Sequence, residues 1–295
     1  MIRKILAAAV VAALFAAPAP AAAGGKRAIR IFSPVEKVAQ SDVVVVGKVA
    51  SFDKDAMLPQ HAGDPNKVAH KVAVVKVEKG LLGAGKMTEV KVAFVPPPKP
   101  NPNAPVRPVR GGFQPVELKE GQEATFFLTR HAGGEYYTVN PMFAPIDSKD
   151  ENAKAATAVA AKAAAAIADP AKALKAEKAE DRYLAAAAVI TKYRSFPQDG
   201  RETTTEKVPA EETRLLLKAL AEGDWSKYDP NMPNGSQVFY SLGLTEQDGW
   251  VQPVVVDNPG APPVDFNAVM KDAFANWAVG AGKNYQISKV VPKQK

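Results

Sequence analysis

The chain has 295 residues, 46% of them hydrophobic, no cysteine, and a formal net charge of +7. The absence of cysteine excludes disulfides, a thiol nucleophile, cysteine-ligated zinc and iron–sulfur chemistry. The positive charge is mild and its lysines and arginines are dispersed, unlike the one-sided clustering of a nucleic-acid binder, so no nucleic-acid partner is expected.

The first segment reads as an export signal. Arg3 and Lys4 precede an unbroken small-apolar run over 5–17, and Ala19-Pro20-Ala21-Ala22-Ala23 supplies small residues for cleavage. This pattern predicts a signal peptide over 1–23 and a mature chain that starts near Gly24. The run is about 13 residues long, short of the ~20 that a membrane-spanning helix needs. No later stretch is long and apolar enough, so no transmembrane segment is expected after cleavage. Loss of Arg3 and Lys4 lowers the charge from +7 to +5. The protein is expected to be secreted or periplasmic, held together by packing alone.

The next stretch reads as β. Residues 42–49 form a valine run whose continuity predicts a strand buried on both faces. A polar loop with Pro59, Gly63 and Pro65 follows, then a strand over 71–79. Gly80, Gly83 and Gly85 break the chain before residues 88–95, where Val90, Val92 and Phe94 alternate with Glu89 and Lys91. Residues 96–115 are a proline-rich insertion that cannot be sheet interior. Alternation returns at 122–129, and Gly133-Gly134 predicts a hairpin turn before a strand at 135–139. Five or more short strands suit a small barrel or curled sheet that closes its own edges.

From 148 the period changes. Residues 148–168 are Ala-rich, with Val159, Ala163 and Ile167 on a thin apolar stripe. A second helix is predicted over about 171–194, with Tyr183, Ala186, Ala187 and Ile190 facing the core. Pro209 suits the first position of a third helix, with Glu211 and Glu212 at its positive end and Gly223 as its stop. A short helix near 236–242 and an irregular stretch at 252–263 precede the last helix. Asp265 caps it, and Phe266, Val269, Met270, Ala273, Phe274 and Trp277 form its stripe. Tyr285, Ile287 and residues 289–291 read as a terminal strand or a tail laid on the helices. The fold class is therefore α+β: a small β-barrel over 30–147 followed by a mainly helical domain over 148–295.

The β half carries a resemblance. Ser41-Asp42-Val43-Val44-Val45-Val46-Gly47-Lys48-Val49, then Glu78-Lys79-Gly80, then Gly121-Gln122-Glu123 with the apolar residues after it, fall in a suggestive order. They resemble the netrin and tissue-inhibitor-of-metalloproteinase type of OB-like β-barrel over about residues 35–145. The resemblance implies an OB-like fold. Inhibitors of that family reach the zinc of their target through an N-terminal cysteine. This chain has none, so the resemblance does not imply metalloproteinase inhibition.

No catalytic constellation stands out. His61, His70 and His131 lack metalloprotease spacing. His61 and His70 flank one loop, and a two-His site there would need Asp55 or Asp64; the alternative is three solvent-exposed histidines at turns and strand ends. No serine sits in a nucleophile elbow, and Asn234-Gly235-Ser236-Gln237 reads as a helix cap. Residues 80–87 lack the phosphate-loop pattern because Met87 stands where a hydroxyl is needed. The carboxylates Glu211-Glu212 and Asp147/Asp150/Glu151 suit a helix start and a linker. Asp53 and Asp55 are not followed by a calcium-loop glutamate. No metal and no cofactor are expected. Trp225, Tyr228, Phe239, Tyr240 and Trp250 crowd a Pro- and Asn-rich region. Exposed, such a group binds a glycan or peptide; buried, it is core under long loops. Trp225, Tyr228, Tyr240 and Trp250 are the candidate ligand-binding residues. The expected function is a non-catalytic exported binding or structural protein with a protein or glycan partner. The alternatives are an exported hydrolase assembled only in the fold, or a peptidase inhibitor that inserts the proline-rich loop.

Overall fold

In a computed structural model of the chain, the valine run is buried on both faces, as its continuity predicts. Val43 and Val45 join one apolar cluster, while Val44 joins another. The structure describes residues 32–59, 64–97, 116–132, 134–140, 142–255 and 262–293. The expected export segment, His61 and most of the proline-rich insertion lie outside the described residues.

The strands are β1 (Val43–Pro59), β2 (Lys67–Leu82), β3 (Glu89–Phe94), β4 (Glu123–Arg130), β5 (Tyr137–Val139) and β6 (Ile146–Asp147). The first two outrun their apolar runs. Residues read as a polar loop are strand, because Ser51 to Pro59 pair with Val74 to Lys67 and the ladder satisfies their backbone groups without apolar side chains. Register shifts at Val49/Ser51 and Asp53/Ala56 mark irregularities that bend this arm. β1 pairs antiparallel with both β2 and β4, β2 with β3, and β4 with β5. β3 and β5 pair in parallel, so the pairings run in a cycle β1–β2–β3–β5–β4–β1. β6 adds to β4.

Gly47 is required in this sheet. A Cβ there would sit 2.3 Å from the Lys76 carbonyl oxygen on β2. Next to it a charged row crosses four strands: Glu123 opposite Lys48, Lys48 opposite Lys76, Lys76 opposite Glu89. Lys48 Nζ lies 2.9 Å from Glu123 Oε1. Such exposed pairs are screened by solvent, so the row sets polarity more than stability.

Helix α1 (Pro34–Ala39) shows no apolar stripe along the sequence, because six residues are too few to form one. Its signal is a capping box. Ser33 N and Oγ both donate to Glu36 Oε2 at 2.9 Å, Glu36 N donates to Ser33 Oγ, and Pro34 opens the first turn. The other helices are α2 (Ala153–Ala168), α3 (Pro170–Ala173), α4 (Ala179–Arg194), α5 (Ala210–Glu222), α6 (Gly235–Leu242) and α7 (Phe266–Val279). A two-stranded ribbon pairs β7 (Thr203–Lys207) with β8 (Ser288–Pro292). β8 follows the expected terminal strand. β7 has no apolar alternation and exists through its partner.

The single helix expected over 171–194 is two. Asp169 caps α3 by accepting from Lys172 N, and Arg182 Nη1 donates to the Ala176 and Glu177 carbonyls between the pieces. These bonds satisfy backbone groups that a continuous helix would have bonded internally. Pro209 sits at the cap of α5, one residue earlier than predicted.

The second cluster joins the halves. Tyr183 to Ile190 on α4 are all buried, and α4 packs against α1, α2, α5, α6 and β8. A helix apolar on every side belongs in an interior, and the run Ala185 to Ala188 lets neighbours approach closely. The cluster also takes in Val35 and Val38 of α1, Val44 of β1 and Phe127 of β4. Phe126 and Leu128 face the other way, into the strand-lined cluster. Two lysines tether the layers: Lys37 Nζ donates to the Ala144 carbonyl at 3.1 Å and Lys192 Nζ to the Ser41 carbonyl at 2.8 Å. Burial lowers both ammonium pKa values below the ordinary lysine range.

Candidate functional site

The loop between α5 and α6 builds one wall of a large cleft. Trp225 anchors it: the residue is 1% exposed, its ring lies tilted against Phe239 and Phe274 at 5.9 and 5.5 Å between centroids, and Nε1 donates to the Leu220 carbonyl at 3.0 Å. Asp224 Oδ1 accepts from Ser226 N and Lys227 N, and Asp229 Oδ1 from Asn231 N, so two side-chain turns fold the loop back on itself. Asn234 closes it, donating Nδ2 to the Trp225 carbonyl and accepting from Ser236 N as the cap of α6. Gly235 fits only because it lacks a side chain; a Cβ would lie 2.2 Å from the Trp225 ring. With Trp225 pinned inward, Tyr228 is turned out and is 83% exposed.

The cleft holds about 750 Å³ and lies between this loop, α4 and the facing turns of α1, α2, α6 and α7. Val159, Leu184, Met232 and Tyr228 give it apolar surface. Tyr183 forms part of the lining, with its hydroxyl donating to the Pro233 carbonyl at 3.0 Å. Burial first, and the nearby Asp224 carboxylate second, push its phenol far above the ordinary value, so it stays a neutral donor. Lys162 and Asp181 pair at 2.7 Å between α2 and α4. Beside the cleft, bonds from Ser226 and from the Ala268 and Asn267 backbone hold the Asp265 carboxyl below its usual range.

The four aromatic candidates separate. Trp225 and Trp250, 1% and 6% exposed, belong to a chain of rings that runs through Phe239, Phe274, Trp277 and Tyr285. Trp225 therefore has no face for a ligand and is a scaffold residue. Tyr228 lines the large cleft. Tyr240, 54% exposed, lines a shallower hollow of about 240 Å³ with an edge of Trp250 and with Gln252. The structure does not bring Tyr228 and Tyr240 into one site.

The histidines differ from the solvent-exposed reading. His70 lies within β2 and His131 just after β4; both are buried, with ring centroids 6.3 Å apart. His70 Nδ1 lies 3.0 Å from the Val68 carbonyl and His131 Nε2 3.0 Å from that of Pro59. A carbonyl can only accept, so these nitrogens carry the hydrogens. The pair fastens the end of the long β1 arm to β4. Among the described residues, no three His, Asp or Glu side chains form a group that could hold a metal ion, and no helix is long and apolar enough to cross a membrane.

No family model, no curated protein and no solved structure matches the chain.

Sequence reasoning singled out Tyr228, which lines the cleft, and none of the carboxylates that line it too. The dense turn residues at 224–234 signal an ordered loop. Nothing along the chain signals that Glu36, 144 positions before Glu180, lines the same cleft.

Proposed function

We propose that this is an exported, non-catalytic binding protein in which an OB-like barrel carries a helical layer, and the helical layer holds the ligand. One observation carries the binding reading: a preformed cleft of about 750 Å³, within the ~300–1,000 Å³ range of ligand sites, with an exposed tyrosine on a pinned loop at its wall. The barrel reading is supported by the cycle of strand pairings with its parallel β3–β5 pair, together with the resemblance to the netrin and metalloproteinase-inhibitor barrel. Export is supported by the charged and apolar pattern of residues 1–23. The partner is then a protein or glycan outside the cytoplasm.

A photo-crosslinking residue placed at 228 in the full chain, expressed in cells with an envelope or secretory route, tests the site. A discrete adduct is expected that is absent when the same residue is placed at exposed Phe196. Identical adduct patterns at 196 and 228, or none at either, count against the cleft as a binding site. N-terminal sequencing of the exported product, expected to begin near Gly24, tests the compartment. A product that keeps Met1 inside the cell overturns it.

A further inference from the structure

We propose that the cleft binds a neutral oligosaccharide whose sugars carry acetamido groups, laid on the ring of Tyr228. This rests on the reading of the cleft as a binding site and adds the chemistry of what enters it. The groups that the fold leaves unengaged point to this class. Ser33 and Glu36 close the box on α1, and Asn234 caps α6, so these lining side chains serve the helix starts. Tyr228 is different: its ring lies on the rim and is 83% exposed. Gln237 on α6 and Asn267 on α7 line the same cleft, and among the described residues their side-chain amides make no hydrogen bond.

Charge selects no ionic ligand here. Among the described residues, five carboxylates line the cleft against two lysines. The N-terminal ends of α1, α4, α6 and α7 border it too, each with about half a positive charge. The two signs largely cancel. The usual peptide modes fit poorly as well. No described strand lines the cleft, so it offers no edge for strand addition. Its aliphatic surface, Val159, Leu184 and Met232, is too small for the apolar stripe of a helix.

A sugar matches what remains. The C–H face of a pyranose with equatorial hydroxyls is apolar, and it rests on the negative face of an aromatic ring. Its rim carries hydroxyls that both donate and accept, and a planar amide presents an acceptor beside two donors. Gln237 and Asn267 can thus each hold adjacent hydroxyls or the amide of an acetamido group, while the small aliphatic patch takes its methyl. The Asp224 and Asp229 turns hold the loop in place, so little backbone ordering is left to oppose binding.

Isothermal titration calorimetry of the purified full chain with N-acetylchitotetraose tests this. Cellotetraose, which carries hydroxyls where the acetamido groups stand, is the comparison. Saturable binding of N-acetylchitotetraose is expected, tighter than that of cellotetraose by at least about fivefold, from a buried methyl and its amide bond. Its affinity should change by less than about twofold between 20 and 300 mM NaCl, because screening acts on charge. Tyr228→Ala should weaken it at least about tenfold, and Tyr228→Phe by at most about twofold, since the ring makes the contact. Gln237→Ala and Asn267→Ala should each weaken it about threefold, the loss of one neutral hydrogen bond. Phe196→Ala, at an exposed ring elsewhere, should bind as the parent does. No saturable binding of either sugar, or a Tyr228→Ala variant that binds as the parent does, overturns the proposal; equal binding of the two sugars overturns its acetamido part. Crosslinking from position 228 separates the failures. A discrete protein adduct without sugar binding leaves the cleft a site and removes only the sugar class; neither adduct nor sugar binding removes both.

Discussion

Gly235→Ala is the sharpest test of how the cleft wall is built. At an unobstructed helix start this change stabilises, because alanine restricts the unfolded chain, by about 0.4–1 kcal/mol. Here the new Cβ would sit 2.2 Å from Trp225 Cδ1. Restoring an ordinary 3.4 Å contact requires the ring to retreat by about 1.2 Å. It has nowhere to go: Phe239 and Phe274 lie against it and its Nε1–H is held by the Leu220 carbonyl. Overpacking of a tight core costs about 1–3 kcal/mol, and a ring blocked on several sides belongs at the upper end. We expect a loss of about 3 kcal/mol, which for a chain of this size lowers Tm by roughly 6–12 °C. Urea unfolding followed by tryptophan fluorescence and by circular dichroism measures it. The cycle with Trp225→Leu isolates the cause, since in that background Gly235→Ala should cost little, giving a coupling above about 1 kcal/mol. A G235A protein as stable as the parent, or one equally destabilised in both backgrounds, refutes the reasoning.

The three tryptophans of the chain, Trp225, Trp250 and Trp277, are all buried. Native emission should be blue-shifted and weakly quenched by iodide; strong quenching would place at least one ring at the surface. Arg182 donates to Glu222 and to two backbone carbonyls between α3 and α4. Arg182→Ala should cost about 1.5–3 kcal/mol, as expected for charge-assisted bonds, and Arg182→Lys should recover only part, because an ammonium cannot reproduce the fork. A fully restored urea midpoint for the lysine variant would contradict this. Burial raises the Tyr183 phenol above its ordinary value of 10.0. The fold then keeps a proton that the unfolded chain releases, so this contribution is complete below about pH 10 and is lost as pH rises further. Tyr183→Phe should flatten the fall of the urea midpoint between pH 9.5 and 11; an unchanged slope would show that other groups control it.

Much of the helical half was legible because its helices carry their own punctuation. Asp265 caps α7 by accepting from Asn267 N and Ala268 N, Asn234 caps α6, and Gly223 ends α5. These are local bonds between neighbours in sequence, and the residue types announce them. The apolar stripe of α7 was only partly right: Met270, Phe274 and Trp277 are buried while Phe266 is exposed. Burial depends on what faces a helix, and the stripe alone does not say. In the β half, the alternation of Glu89 to Phe94 gave β3, because one face is solvated. The outer parts of β1 and β2 and all of β7 were missed for the converse reason. Polar side chains on both faces leave no period to read.

The sequence by itself determined the absence of thiol and disulfide chemistry, the α+β order, and the burial of the valine run on both faces. Each follows from composition or from contacts within a few residues. Only the tertiary structure decided which aromatics were scaffold and which were surface, and that His70 and His131 are buried neighbours. It alone brought Glu36, Glu180, Asp224 and Asp229 around one cleft. Those side chains are fixed by long-range packing on α4, and charge carried on separate elements has no period or spacing along a chain.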